Sequence, residues 1–423
     1  MAEHGPMPQS SGSASDPSGS QSTRGSSLRL ASLDGLRGIA ALVVLLYHLF
    51  LVAEPHLEQW LGPGFAAPLS FRWWLFSSPL SFIIAGPQAV LVFFLLSGIV
   101  LTLPVLRAPR YDWLAYYPRR IIRLYVPVFA SVLLAVVLLL LVKRTLTPIP
   151  GWQGANAREL NPIEALGEAL LVAPDPRVNG PLWSLTWELA FSLLLPIYVL
   201  IARRSPRWSG ALVLLSLVLI AVGTEMAWRW LECLPVFLIG SIAAVHLDRL
   251  GSVAQRINRS SRHSLWWTLT FAASILLITG AGFTASIGLQ KPFTAITHLL
   301  GALVVVGGMG IVFLSIGSRA AQVVLGSRPA QWLGRVSFSL YLIHVPIVVT
   351  LAYAIGWSRW WLALVIGIAV SLIGAEAFTR LIEQPAHRLS RRVGRWVSGR
   401  RGIAETPEAP LNDGLRTVPS EQG

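Results

Sequence analysis

Arg37 and His48 stand 11 residues apart in a segment that opens Leu33-Asp34-Gly35-Leu36-Arg37-Gly38 and closes on Tyr47-His48, with apolar residues between. At about 100° per residue, that spacing returns His48 to within roughly 20° of Arg37 on a helix and places it roughly 16 Å further along the axis. Asp34, three residues before Arg37, shares the face and can pair with it. One stripe therefore carries a carboxylate, a guanidinium and an imidazole, and an imidazole suits general-base chemistry near neutral pH. A plainer reading has Asp34 capping a helix, Arg37 snorkelling to a membrane surface and His48 hydrogen-bonded inside a bundle. The residues alone leave both open.

Glu188 follows in Pro181-Leu182-Trp183-Ser184-Leu185-Thr186-Trp187-Glu188. Counted from opposite ends of their helices, Glu188 is roughly 9 Å and His48 roughly 7–8 Å from the same surface. Matched depth predicts that the carboxylate accepts the imidazole N–H, fixing its tautomer and raising its basicity. Without that match, Glu188 is a glutamate near an interface, satisfied by Trp183 or Ser184. Arg119, Arg120 and Arg123 sit at spacings of three and four, so they can share a face. A guanidinium cluster suits phosphates, and it equally suits topology anchoring on anionic headgroups. His344, in Tyr341-Leu342-Ile343-His344-Val345-Pro346, reads first as a core histidine bonded to a carbonyl that Pro346 frees. Ser97, Trp183, Ser184, Tyr341 and His344 are the candidate lining residues; Ser97 is also a natural packing serine.

These groups need helices to hold them at depth. The 423 residues are 54% hydrophobic and 13% charged, with a mean hydropathy of +0.61. A soluble chain carries about 25% charged residues, so several soluble domains are excluded. Ten apolar helices are predicted, at 35–53, 80–103, 124–142, 182–202, 209–224, 233–247, 265–285, 295–316, 335–356 and 360–382: an all-α polytopic membrane bundle. Residues 1–28, rich in Ser and Gly, predict an unstructured tail. The transmembrane domain is 29–389, and 390–423 is a basic, then unstructured, tail. With the N-terminus inside, 25 of the 34 Lys and Arg fall on the cytoplasmic side and 8 outside, which places both termini in the cytoplasm of an inner-membrane protein. No signal peptide precedes the first span.

The net charge of +14 sits in short loops, so membrane lipid rather than nucleic acid is the expected polyanionic partner. One cysteine, Cys233, rules out an intrachain disulfide. No Walker A, HExxH, His/Cys ligand cluster or GxSxG elbow occurs, so neither ATP hydrolysis nor a metal is expected.

In order along the chain, these motifs resemble the membrane-bound acyltransferase-3 family. Arg37 to His48 is similar to its Arg-x10-His motif, Phe93 to Gly98 to FFxxSG, and Trp183 to Glu188 to WSLxxE. Arg119, Arg120, Arg123 and Pro127 resemble RRxxRxxP with one extra residue of spacing. Ser337 to Pro346 resembles SxxxYLxHxP, and Glu383-Gln384-Pro385 a late ExP. Many relatives carry a second acidic residue after WSLxxE, where this chain has Leu189. Many also append a soluble esterase-like domain, for which the residues after the last helix leave no room.

The resemblance implies transfer of an acetyl or other short acyl group from cytoplasmic acyl-CoA, expected to be acetyl-CoA, to a hydroxyl. The acceptor would be a glycan, a glycolipid or a macrolide-like product. Coenzyme A phosphates would lie at Arg119, Arg120 and Arg123, its arm would pass Arg37, and His48, oriented by Glu188, would act as base or carry the acyl group, with Arg37 and Asp34 completing the catalytic set. A different class, a proton-coupled transporter or flippase, also uses buried ionisable residues. Paired inverted halves, its usual mark, are not visible.

Overall fold

A computed structural model describes residues 17–61, 73–74, 77–144, 151–173, 175–204, 206–286 and 294–399. Among them there are helices and no strand. We number the α-helices α1 (Pro17–Leu61), α2 (Gly86–Arg107), α3 (Trp113–Leu141), α4 (Gly151–Ala155), α5 (Pro162–Ala169), α6 (Leu182–Arg204), α7 (Ser209–Met226) and α8 (Arg229–Val245). They continue as α9 (Leu247–Arg259), α10 (His263–Ser286), α11 (Thr294–Gly317), α12 (Arg319–Leu325), α13 (Arg328–Ile355), α14 (Trp360–Phe378) and α15 (Gln384–Gly399).

The protein is a polytopic membrane helix bundle. Seven of the described helices are long and apolar enough to cross a membrane. The number becomes nine if α8 with α9, bent by 70°, and α11 with α12, bent by 88°, each form one span. The ten helices read from the sequence all occur, but that number of spans does not follow.

α13 is the central helix. It packs against α1, α3 and α14, and 72% of its apolar window is buried. Its approach to α1 depends on two glycines. A Cβ on Gly38 would stand 2.3 Å from the Gly334 nitrogen, and one on Gly334 would stand 2.4 Å from the Asp34 carbonyl oxygen. Side chains at either position would push the helices apart. This close packing sets the stripe of α1 against α13. α2 lies between α1 and α8, while α10 and α11 pair beside them.

Both expected tails contain helix. α1 begins at Pro17, inside the segment read as unstructured, and residues 1–16 lie outside the described residues. α15 continues to Gly399 because Ala386, Ser390, Gly394 and Ser398 recur every fourth residue and bury one stripe against α3. Its arginines face outward, and Ser398 Oγ donates to Asp112 Oδ2 at 2.7 Å. Residues 400–423 lie outside the described residues.

The segment before α6 runs into the bundle rather than over it. Glu168 accepts hydrogen bonds from the Arg177 backbone nitrogen, from Val178 N at 2.6 Å and from Asn179 N at 2.8 Å. Asn179, fully buried, donates through Nδ2 to the Leu342 carbonyl at 2.9 Å. Pro346 lacks the N–H that would have served that carbonyl. A side chain from outside α13 thus fills the vacancy that the sequence reading had given to His344.

Candidate active site

Two groups of functional side chains lie along the bundle axis. The first is a narrow crevice at the arginine-rich end. It is walled by Asp34 and Arg37 of α1, Ser97 of α2, Arg120 and Arg123 of α3, Glu188 of α6, Arg335 and Ser337 of α13, and Glu383 and His387. An inner continuation shares Arg37, Ser97, Glu188 and Ser337, and reaches Ser184 and Tyr341. There Ser184 Oγ and the Tyr341 hydroxyl stand 2.6 Å apart.

The second group lies one turn further along α13. The His344 ring is 5.9 Å, centroid to centroid, from that of Tyr341 and 4.9 Å from that of His48. His344 Nδ1 lies 2.9 Å from the Leu340 and Tyr341 carbonyl oxygens, so it carries the proton. Its Nε2 is then an acceptor, 3.2 Å from His48 Nδ1. His48 Nδ1 also lies 2.9 Å from the Val44 carbonyl oxygen, so it too carries a proton. The assignment leaves His48 Nε2 with the free lone pair, the nitrogen a base uses. The Trp152 ring of α4 lies 5.4 Å from that of His48.

The expected pairing of Glu188 with His48 is not made. Glu188 Oε1 accepts from Arg120 Nη2 at 2.6 Å, a charge-assisted bond, and faces the crevice. The depth count started α6 at a membrane surface. Because the segment before it runs into the bundle, Leu182 is already 1% exposed at the first residue of the helix. Six further residues carry Glu188 past the histidines into the arginine-rich end.

Two other placements differ. Arg119 packs over Gly394 of α15, where a Cβ would collide with its Nε, and only Arg120 and Arg123 of the three arginines line the crevice. Trp183 lies under the Arg229 guanidinium, 5.3 Å from its ring centroid, and does not line the crevice. Asp34 is no helix cap, since α1 starts 17 residues earlier; it lines the crevice within electrostatic reach of Arg37 and Arg123. Ser97, Ser184 and Tyr341 line it.

Sequence reasoning missed Glu383, His387 and Asn179 as site-forming residues. Glu383 accepts from Ser339 Oγ at 2.6 Å and lies 3.8 Å from His387 Nε2. It ends a π-helical turn, Thr379–Glu383, and such turns gather at functional sites. A buried acid at the end of a long apolar run was the available signal. No group of three or more His, Cys, Asp or Glu that could hold a metal exists among the described residues.

Comparison with known proteins gives one consistent class. The acyltransferase-3 family model, described as an acyltransferase domain, matches residues 30–380. Acyltransferase MdmB of Streptomyces mycarofaciens is 26% identical over 430 residues, covering 91% of this chain and 97% of that one. Nodulation protein 10 of Rhizobium leguminosarum is 27% identical, over 51% of this chain and 56% of its own length. Peptidoglycan O-acetyltransferase OatA of Listeria monocytogenes is 25% identical, over 51% of this chain and 36% of its own length. No solved structure matches.

Proposed function

Because the chain belongs to the acyltransferase-3 family and is a membrane acyltransferase, we propose that it moves an acetyl or other short acyl group from cytoplasmic acyl-CoA to a hydroxyl of a glycan, glycolipid or macrolide-like acceptor. The arginine-rich end faces the cytoplasm, as do both termini, in keeping with the charge bias of the loops. One observation carries this reading. The crevice runs from Arg120 and Arg123 inward to Tyr341, one turn of α13 from a paired His48 and His344.

The residues present fit such a donor. Arg120 and Arg123 supply guanidinium forks for phosphates at the mouth. Inward, the walls turn apolar at Val90, Phe93, Phe94 and Phe338, which suits an uncharged arm. When bound, acyl-CoA supplies an activated thioester carbonyl, so positioning and one base suffice.

His48 Nε2 takes the proton of the acceptor hydroxyl as its oxygen bonds to the acyl carbon and the carbon–sulfur bond breaks. The proton then passes to the departing thiolate. His344, rather than Glu188, orients His48: its Nε2 lone pair faces His48 Nδ1–H and favours the imidazolium that forms. Glu188 holds Arg120 in place at the mouth. An acyl-His48 route uses the same residues.

Purified protein with labelled acyl-CoA tests the reading. Release of free coenzyme A thiol that depends on added acceptor, and its loss in His48→Ala with membrane insertion intact, are expected. Sustained release of thiol beyond one equivalent without acceptor, or normal transfer by His48→Ala, would refute it.

A further inference from the structure

Arg144 and Arg158 lie on the connection between α3 and α6, at the His48 end of the bundle. Arg144 is 5% exposed, yet its Nε is buried with no hydrogen-bond partner, and no carboxylate is within salt-bridge reach of it among the described residues. The Nε of Arg158 is likewise buried and unpartnered. Its other nitrogens reach only the Ala155 carbonyl at 3.4 Å and the half-exposed Glu164 at 4.0 Å. Burial, and then repulsion from Arg158, pull the Arg144 guanidinium down to about 10; burial and Arg177 lower that of Arg158. A buried cation with no carboxylate in reach among the described residues, set near a second, half-buried cation whose own nearest carboxylate is Glu164 at 4.0 Å, is unfavourable unless something else supplies the anion.

Their surroundings connect them to the reaction site. The Tyr353 hydroxyl is within electrostatic reach of Arg144 and donates to the Gln153 carbonyl at 2.9 Å. Trp152, the preceding residue, sets its ring beside His48. The cationic pair is therefore tied, through Tyr353 and the Trp152–Gln153 turn, to the side of the bundle where the imidazole of His48 lies. It lies at the opposite end from Arg120 and Arg123, so the donor's phosphates do not account for it. At 5% exposure Arg144 is also not a side chain resting among lipid headgroups.

We infer that Arg144 and Arg158 form a binding site for an oxyanion, a phosphate or carboxylate carried by the acceptor, and thereby position the acceptor hydroxyl at His48. A guanidinium fork matches either oxyanion. The acceptor part of this inference rests on the acyltransferase reading; the oxyanion site itself does not.

Thermal unfolding of the purified full-length protein, titrated separately with inorganic phosphate and with acetate at constant ionic strength, tests the site without any turnover. A ligand that binds only the folded state raises Tm in a concentration-dependent way. Arg144→Gln should raise the apparent Kd of the preferred anion at least fivefold, Arg144→Lys less, and Arg319→Gln not at all. Arg158→Gln reads the same site if Arg144→Gln fails to fold. Superimposable titrations of wild type and variants would overturn the site, leaving the acyltransferase reading intact. In membranes, the KM for the acceptor should rise at least fivefold in Arg144→Gln while that for acyl-CoA stays fixed. An unchanged acceptor KM with a weakened anion site would assign it to a lipid headgroup and overturn the acceptor role.

Discussion

The two ends of the bundle treat charge in opposite ways. At the arginine-rich end, cations and anions neutralise each other within the protein. Arg120 holds Glu188 at 2.6 Å, Arg380 and Arg335 hold Glu376 at 2.6 and 3.7 Å, and Asp34 lies within reach of Arg37 and Arg123. At the other end, two imidazoles share one hydrogen bond, and the buried Arg144 guanidinium has no carboxylate within salt-bridge reach among the described residues. A balanced site can open to solvent and close without a stranded charge. An unbalanced site has to draw its counter-charge from a ligand. The difference fits a donor that enters and leaves repeatedly at one end and an acceptor gripped at the other.

The sharpest way to break this comparison is at the histidines. His48→Ala should lower transfer by ~10²–10⁴, the usual contribution of a positioned base, measured as thiol release in membranes with equal protein. Next comes the choice of orienting group. If His344 sets the tautomer of His48, His344→Asn should lower kcat by ~10–100-fold and displace the acid limb of the pH–rate profile. Glu188→Gln should instead act on the KM for acyl-CoA and leave that limb where it is. The reverse outcome would restore the carboxylate–imidazole pair read from the sequence. At the mouth, Arg123→Gln should raise the KM for acyl-CoA ~10-fold, about one charge-assisted hydrogen bond. Arg119→Gln, whose side chain lies over Gly394, should change it less than about twofold; equal effects would return all three arginines to one site.

Much of this was legible in the sequence because helices are locally periodic. Asp34, Arg37 and His48 share a stripe by counting alone, and Ser97, Ser184 and Tyr341 fall on the inner faces of theirs. The failures share a different cause. Glu188 was placed by assuming that its helix starts at a membrane surface. The true start depends on Glu168, Asn179 and the Leu342 carbonyl that Pro346 leaves open, the last of them 163 residues from Asn179 in the chain. Likewise Arg119 shares its helical face with Arg123 on paper, but α15 covers that part of the face and takes it out of the crevice. The partner of His48 is 296 residues away, and helical periodicity carries no information over that distance. Arg144 and Arg158 appear in sequence as ordinary loop arginines; only the burial of Arg144 and the unpartnered, buried Nε of each mark them.

The smallest expected effect concerns the clamp that sets the depth of α6. Glu168 is 2% exposed, and burial raises its carboxyl above the usual carboxylate range even though the backbone nitrogens of Val178, Asn179 and Arg177 all point at it. A group whose folded value lies above its unfolded value holds its proton more tightly in the folded state. Its contribution is therefore greatest below the ordinary glutamate value and is lost as pH rises through the folded value. Glu168→Gln removes that titration and leaves one carbonyl oxygen where two carboxylate oxygens accepted three N–H groups. A net loss of ~1–3 kcal/mol is expected at neutral pH, read as a lower Tm. Across the window just above the ordinary glutamate value, the stability gap between wild type and variant should narrow as pH rises, because only the wild type loses stability there. A gap that widens instead would mean that the three N–H donors outweigh burial. The segment before α6 would then be held by a charged carboxylate, and Glu188 would keep its depth most firmly at neutral pH.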